Sequence, residues 1–171
     1  GRQLVETIRT HTDLAPKAAR QRAIDLLEEV GIPAAARRFD AYPHEFSGGM
    51  RQRVVIALAL CAGPKLVIAD EPTTALDVSI QAQILDLLRA LVRQRGVGMV
   101  LITHDMGVIA ETADRVAVMY AGRLAEIGPV RQVIAAPRHP YAAGLMAATP
   151  AASAPGEALR QIPGAMPRLD A

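Results

Sequence analysis

The sequence predicts an α/β chain in which a helical subdomain precedes a parallel sheet. Three observations carry this. The first third spaces its apolar residues as helices do and shows no strand pattern. Two short, continuous apolar runs, "KLVIADEP" and "VGMVLITHD", then stop at polar residues, the pattern of buried parallel strands. A long amphipathic stretch lies between them, giving a strand–helix–strand unit with an expected right-handed crossover.

The elements follow in order. Over about 1–10, Leu4, Val5 and Ile8 share one helical face. The stretch "DLAPKAARQRAIDLLEEVGIP" is a clearer helix. Asp13 is its expected cap and Pro16 falls in its first turn; Ala23, Leu26, Leu27 and Val30 form one face, and Gly31 and Pro33 end it. A third helix is expected over about 48–62; past Arg53 it is apolar all round, which predicts burial. After the first strand, "DVSIQAQILDLLRALVRQRG" places Ile80, Ile84, Leu87, Leu88 and Leu91 on one face, with Gly96 as the stop. Beyond the second strand, "IAETADRVAVMYAGRLAEIG" predicts a short helix and a hairpin turning near Ala121 and Gly122. A helix over about 130–135 leads into "PRHPYAAGLMAATP", and the alanine-, proline- and glycine-rich remainder reads as a tail. The expected organisation is a helical subdomain over 1–62, an α/β core over 63–128 and an extension over 129–171.

Composition narrows the function. A net charge of +2 implies no strong polyanion partner, and 3% aromatics with no Trp argue against base stacking on exposed rings. The lone cysteine, Cys61, excludes a disulfide framework and fits a reducing compartment. The longest apolar run, over 54–63, is far short of the roughly 20 residues of a spanning helix. The chain opens with Gly1 in helix-like sequence, so it is expected to be a piece of a longer protein.

The polar residues gather at element ends. Asp70 and Glu71 close the first strand, where ligands of open α/β sheets sit. Mg²⁺ on Asp70, with Glu71 left to orient or deprotonate a water, is one reading. The plainer one is a strand leaving for solvent. His104 ends the second strand, on the same edge of a parallel sheet, as a further site group or simply a polar strand end. Asp77 begins the next helix as an N-cap, with or without a second role. In "HEFSGGMRQR", Ser47, Gly48 and Gly49 open the third helix. Its first-turn amides lack partners and carry the positive end of the dipole, so phosphate is a natural guest. An ordinary serine cap beside a glycine-rich turn is the alternative. Arg51 and Arg53 are expected to anchor the helix start or face a neighbouring domain.

The order "FSGGMRQR", "LVIADEPTTALD", "LITHD" resembles the nucleotide-binding subunit of ATP-binding cassette (ABC) transporters over about 1–128. "PHEFSGGMRQR", "IADEPTTALDV" and the extension "RHPYAAGLMAATP" are similar to the oligopeptide/dipeptide importer branch, which includes nickel importers. The resemblance implies a P-loop NTPase-like ABC ATPase core. Ser47, Gly48 and Gly49 would be its signature motif, Asp70 the Walker B carboxylate serving Mg²⁺ and Glu71 the catalytic base. Asp77 would be the D-loop aspartate and His104 the switch histidine at the γ-phosphate. Phe46 and Met50 stand where the family more often has Leu and Gln. Some members carry a cysteine cluster in the extension; no cysteine follows Cys61, so no iron–sulfur centre is expected.

The resemblance further implies ATP and Mg²⁺ as cofactors and an ATPase dimer, homo- or heteromeric, sandwiching two ATPs. Transmembrane permease subunits and an extracellular solute-binding protein complete the system, with no nucleic acid partner. The expected place is peripheral, on the cytoplasmic face of the bacterial plasma membrane. No G-x-x-x-x-G-K-[ST] occurs in the sequence, so the N-terminal part of the domain, with Walker A and the Q-loop, is expected to be missing and these residues alone to be inactive. The alternatives are a non-transport ABC-type ATPase of DNA repair or chromosome organisation, or a non-catalytic interaction module. The short run before Phe46, without heptads, speaks against the first, and the intact motifs against the second.

Overall fold

The structure is a computed structural model that describes residues 1–149 and 161–164. Most of the tail assigned from composition therefore lies outside the described residues. The chain divides into two compact units, Gly1–Ile102 and Thr103–Ala171.

The first unit holds α1 (Arg2–His11), α2 (Pro16–Glu29), α3 (Ala35–Arg38), a 3₁₀ turn (Pro43–Glu45), α4 (Gly48–Leu60), β1 (Leu66–Asp70), α5 (Val78–Arg95) and β2 (Gly98–Ile102). Leu4 and Ile8 of α1 are buried as their spacing predicts. They share one core with Leu26 and Leu27 of α2, Ile56 and Leu60 of α4, Val67 of β1, and Ile84 and Leu88 of α5. Asp13 does not cap α2: the N-cap is Ala15 and no side chain bonds the helix start. Pro16 at the first helical position leaves one fewer unpartnered N–H at the helix start and has its φ already set. Gly31, at φ +78°, ends α2 as expected.

Two burial expectations change. α4 is buried through Ile56, Ala57 and Leu60, while Val55 is 53% exposed. β1 and β2 pair in parallel, Leu66 with Gly98 through Asp70 with Ile102, as the apolar runs predict. Their sheet, however, is covered on one face only. Val67 and Ala69 point into the helices, whereas Leu66, Ile68, Val100 and Ile102 are exposed on the other face. The side chains of one strand alternate between faces, and the helices of this unit pack against one of them.

The second unit contains α6 (Met106–Thr112), β3 (Arg115–Tyr120), β4 (Arg123–Pro129), α7 (Val130–Ala135) and α8 (Pro140–Ala147). β3 and β4 form the expected antiparallel hairpin, turning at Ala121 (φ +50°) and Gly122 (φ +72°). Two successive positive φ values match the strand twist, as in tight hairpin turns. Val116, Val118, Val130, Val133 and Ala142 form the core. The Glu126 carboxylate ties the start of α8 to the hairpin. It accepts the backbone N–H of His139 at 2.9 Å and of Arg138 at 3.0 Å. These donors hold its carboxyl below the ordinary value. His139 then caps α8, its Nδ1 accepting the N–H of Tyr141 at 3.1 Å.

Candidate functional site

The site is built upward from two helix starts and one strand end in the first unit. Ser47 is the N-cap of α4, extended at φ −62° and ψ 165°, and its Oγ accepts the Met50 N–H at 3.3 Å. The Ser47 hydroxyl keeps its own O–H for an outside acceptor. Neither the Gly48 nor the Gly49 amide meets an acceptor among the described residues. α4 therefore presents two open backbone donors, one hydroxyl donor and the positive end of a 13-residue helix.

The two glycines have a cause besides phosphate access. A Cβ on Gly48 would meet Leu76 Cδ2 at 3.3 Å, and one on Gly49 would meet Ile80 Cγ2 at 2.7 Å. Their bare sides make room for α5. The start of α5 thus lies beside the start of α4, which brings Asp77 into the same region as Ser47, Gly48 and Gly49. Asp77 is the N-cap of α5, Oδ1 accepting the Ile80 N–H at 2.9 Å, so its capping role is observed. Its negative charge offsets the positive end of α5, leaving α4 as the open anion-binding terminus.

Asp70 ends β1 and is exposed, as in a strand leaving for solvent, so no burial cost demands a cation there. Glu71 follows at φ +45°, a left-handed conformation that costs a non-glycine residue roughly 1–2 kcal/mol. It is held there at both ends. Its N–H donates to the Ile102 carbonyl at 2.9 Å, and its Oε2 accepts the Thr74 hydroxyl at 3.0 Å. The Gln81 amide clamps the following loop through the carbonyls of Thr73 and Leu76, at 3.3 and 3.1 Å. Strain maintained by surrounding bonds is characteristic of functional sites. Thr74 and Gln81 escaped the sequence reading, since isolated polar residues in a loop carry no pattern.

His104 lies in the second unit, two residues past the end of β2. Its backbone is fixed from both sides: the Asp105 N–H donates to Thr103 Oγ1 at 3.1 Å, and Asp105 Oδ1 caps α6 through the N–H groups of Gly107 and Val108. The structure thus gathers the Ser47–Gly49 stretch with Asp77, sets Asp70 and Glu71 together at the end of β1, and carries His104 in a separate unit.

The donor set fits the groups the resemblance implies. Open amides at a helix start suit a phosphate. Asp70, an accessible carboxylate without a cluster of three metal-ligating side chains among the described residues, suits Mg²⁺, which takes one or two carboxylates and keeps its waters.

Arg53 is the arginine whose placement the structure settles. Its Nη1 donates to the Val30 carbonyl at 2.7 Å, at the C-cap of α2, and its Nη2 to Gln83 Oε1 on α5 at 3.2 Å. Arg95 does similar work farther from the site, pairing with Glu29 of α2 while its Nη1 reaches the Leu60 carbonyl of α4 at 3.1 Å.

Comparison with known proteins agrees along the chain. Residues 2–74 match the ABC transporter family, and residues 125–171 match the oligopeptide/dipeptide transporter C-terminal region. The oligopeptide transport ATP-binding protein OppD of Bacillus subtilis (strain 168) is 55% identical over 170 residues, covering 99% of this chain and 48% of that protein. The dipeptide transport ATP-binding protein DppD of the same organism is 52% identical over 169 residues, covering 99% of this chain and 50% of that protein. The chain spans about half the length of the curated relatives it matches. Among solved structures, cbiO1 from Clostridium perfringens, part of the ABC transporter complex cbiONQ, superposes with a TM-score of 0.66 at 31% identity, covering 77% of this chain and 51% of that one. The ATP-binding cassette MJ0796, a dimer in a post-hydrolysis state with ADP and Pi, gives 0.59 at 31% identity, covering 69% of this chain and 50% of that one. The signature order, the fold and both family matches agree: along almost its whole length the chain is similar to the ATP-binding proteins of ABC transporters, in the oligopeptide/dipeptide branch.

Proposed function

We propose that this chain supplies the signature-bearing part of an ATPase subunit that powers import of peptides or similar small solutes. The observation that carries the reading is the paired helix start, in which the donors of Ser47, Gly48 and Gly49 stand open beside the cap of Asp77. In this reading those donors hold the γ-phosphate of an ATP bound chiefly by a partner subunit, homo- or heteromeric. Asp77 acts across the same dimer interface. Asp70 takes Mg²⁺, which when bound offsets phosphate charge and orients the reacting oxygens. Glu71 orients the attacking water and accepts its proton, and His104 contacts the γ-phosphate as charge develops there. Catalysis is then mostly positioning, for which the fixed backbone at Glu71 is suited.

The work is coupled to transmembrane permease subunits, which respond to closing and opening of the dimer as a two-state switch. The subunit sits on the cytoplasmic face of the bacterial plasma membrane, and an extracellular solute-binding protein delivers the cargo. No described helix is long and apolar enough to cross a membrane, which suits a peripheral subunit. The names of the relatives, oligopeptide and dipeptide transport proteins, support peptides over other small solutes.

The test uses a protein of the relatives' full length that carries this sequence. Glu71→Gln keeps the size and the Thr74 contact but removes the base. Steady-state ATP hydrolysis should fall by about 10²-fold or more, while an ATP-held dimer accumulates on sedimentation. Hydrolysis at the parental rate would remove Glu71 from the role of base.

A further inference from the structure

We propose that Arg53 is a positioning residue that locks α4 to α5, so that the Ser47–Gly49 donors and the Asp77 carboxylate form one rigid edge. Three contacts join the two helices. Gly48 meets Leu76, Gly49 meets Ile80, and Arg53 bonds Gln83 at 3.2 Å. They climb both helices in the same order, so α4 and α5 run side by side in the same direction. The first two contacts are non-directional van der Waals contacts at the helix starts, which set how closely the helices approach and add to their apolar packing. Separation and sliding are resisted by Arg53–Gln83, six residues beyond each cap, roughly 9 Å along the axis.

Such a bond constrains only if the arginine itself is held. Its other arm is, by the Val30 carbonyl at 2.7 Å. That carbonyl lies at the C-cap of α2, where helix carbonyls lack intrahelical donors and the dipole favours a cation. Gly31 clears the space. A Cβ there would meet Arg53 Nη1 at 2.8 Å, and the backbone is already left-handed at φ +78°. One planar guanidinium thus joins three helices, a geometry that the single ammonium of lysine cannot reproduce. A flexible pair of helix starts would present its donors over a range of positions. A locked pair presents them where an anion shared between subunits can meet both at once.

The functional arm of the test rests on the reading proposed above. In the full-length protein carrying Glu71→Gln, Gln83→Ala removes only the exposed end of the lock and leaves the Val30 carbonyl bonded. Arg53→Lys keeps the charge without the fork. Both should raise the ATP concentration needed for the dimer by about tenfold, with ATP affinity of the monomer unchanged within about twofold. Gly31→Ala should act in the same direction by displacing the guanidinium. A dimer midpoint equal to that of the parent in both Gln83→Ala and Arg53→Lys would overturn the proposal.

Failure of the parent itself to form an ATP-held dimer would count against the functional reading. The lock is then decided by hydrogen exchange in the same proteins. The Met50 and Ile80 amides should exchange about fivefold faster or more in Gln83→Ala, with the Leu26 amide in the core of α2 unchanged. Equal rates at Met50 and Ile80 would overturn it.

Discussion

Glu71, just past the end of β1, and Glu126, within β4, are both acidic, and the structure uses them in opposite ways. Glu71 is kept in a left-handed backbone by bonds on either side of it, and its carboxylate accepts the Thr74 hydroxyl. Glu126 instead spends its carboxylate on backbone donors of Arg138 and His139. Those donors favour its charged form, so its carboxyl titrates below the ordinary 4.5. A depressed carboxyl contributes its stabilisation fully at neutral pH and loses it as the pH falls through the lowered folded value. Acid titration followed at the Arg138 and His139 amide resonances should show a midpoint below 4.5. A midpoint at or above that value would contradict the tether, and Glu126→Gln should abolish the transition. The sequence made Asp77 legible as a cap because a helical period begins directly after it. It misled at Asp13, because the helix begins at Pro16 and the N-cap falls on Ala15, two residues further on. The tethering role of Glu126 had no local signal, since its partners stand twelve and thirteen residues away.

At the scale of elements, the long helices and both strand pairings were legible because their periods run over many residues. α3 and the 3₁₀ turn, of four and three residues, are too short to show a period and went unread. The apolar surround of α4 suggested burial on all sides, but burial depends on how many neighbours pack, and Val55 has none to cover it. The glycine pair was legible as a phosphate motif while its packing cause was not, because Ile80 lies far along the chain. Gly49→Ala tests that cause. The new methyl would press on Ile80 Cγ2, so α4 and α5 should be driven apart at a cost of about 1–3 kcal/mol on denaturation. The cost should shrink in an Ile80→Ala background, where the obstructing methyl is gone. An undiminished cost there would rule out the Ile80 contact as the cause, since helix propensity and unfolded-state entropy both favour alanine at this helical position.

For the molecule as a whole, the open sheet face of the first unit stands out. Leu66 (54%), Ile68 (65%), Val100 (46%) and Ile102 (47%) make an exposed apolar surface on one side of two strands. Such patches bind apolar ligands or associate. The isolated chain should therefore bind an apolar dye and scatter light at high concentration. Ile68→Lys with Val100→Lys should lower both without lowering the melting temperature, since neither side chain enters the core. Undiminished dye binding would place the sticky surface elsewhere. The expectation of strands buried on both faces followed from their unbroken apolar runs, and a run of that kind records what the strand can be covered by, without saying where the cover comes from. The pairing of α4 with α5 has its own consequence for changes in chain length. Gly49, Arg53, Ile80 and Gln83 match only while both helices keep the same rotational phase. One residue inserted between Gly49 and Arg53 would turn the guanidinium by about 100°, away from both Val30 and Gln83. The same insertion in the loop 61–65, between α4 and β1, would leave that phase untouched.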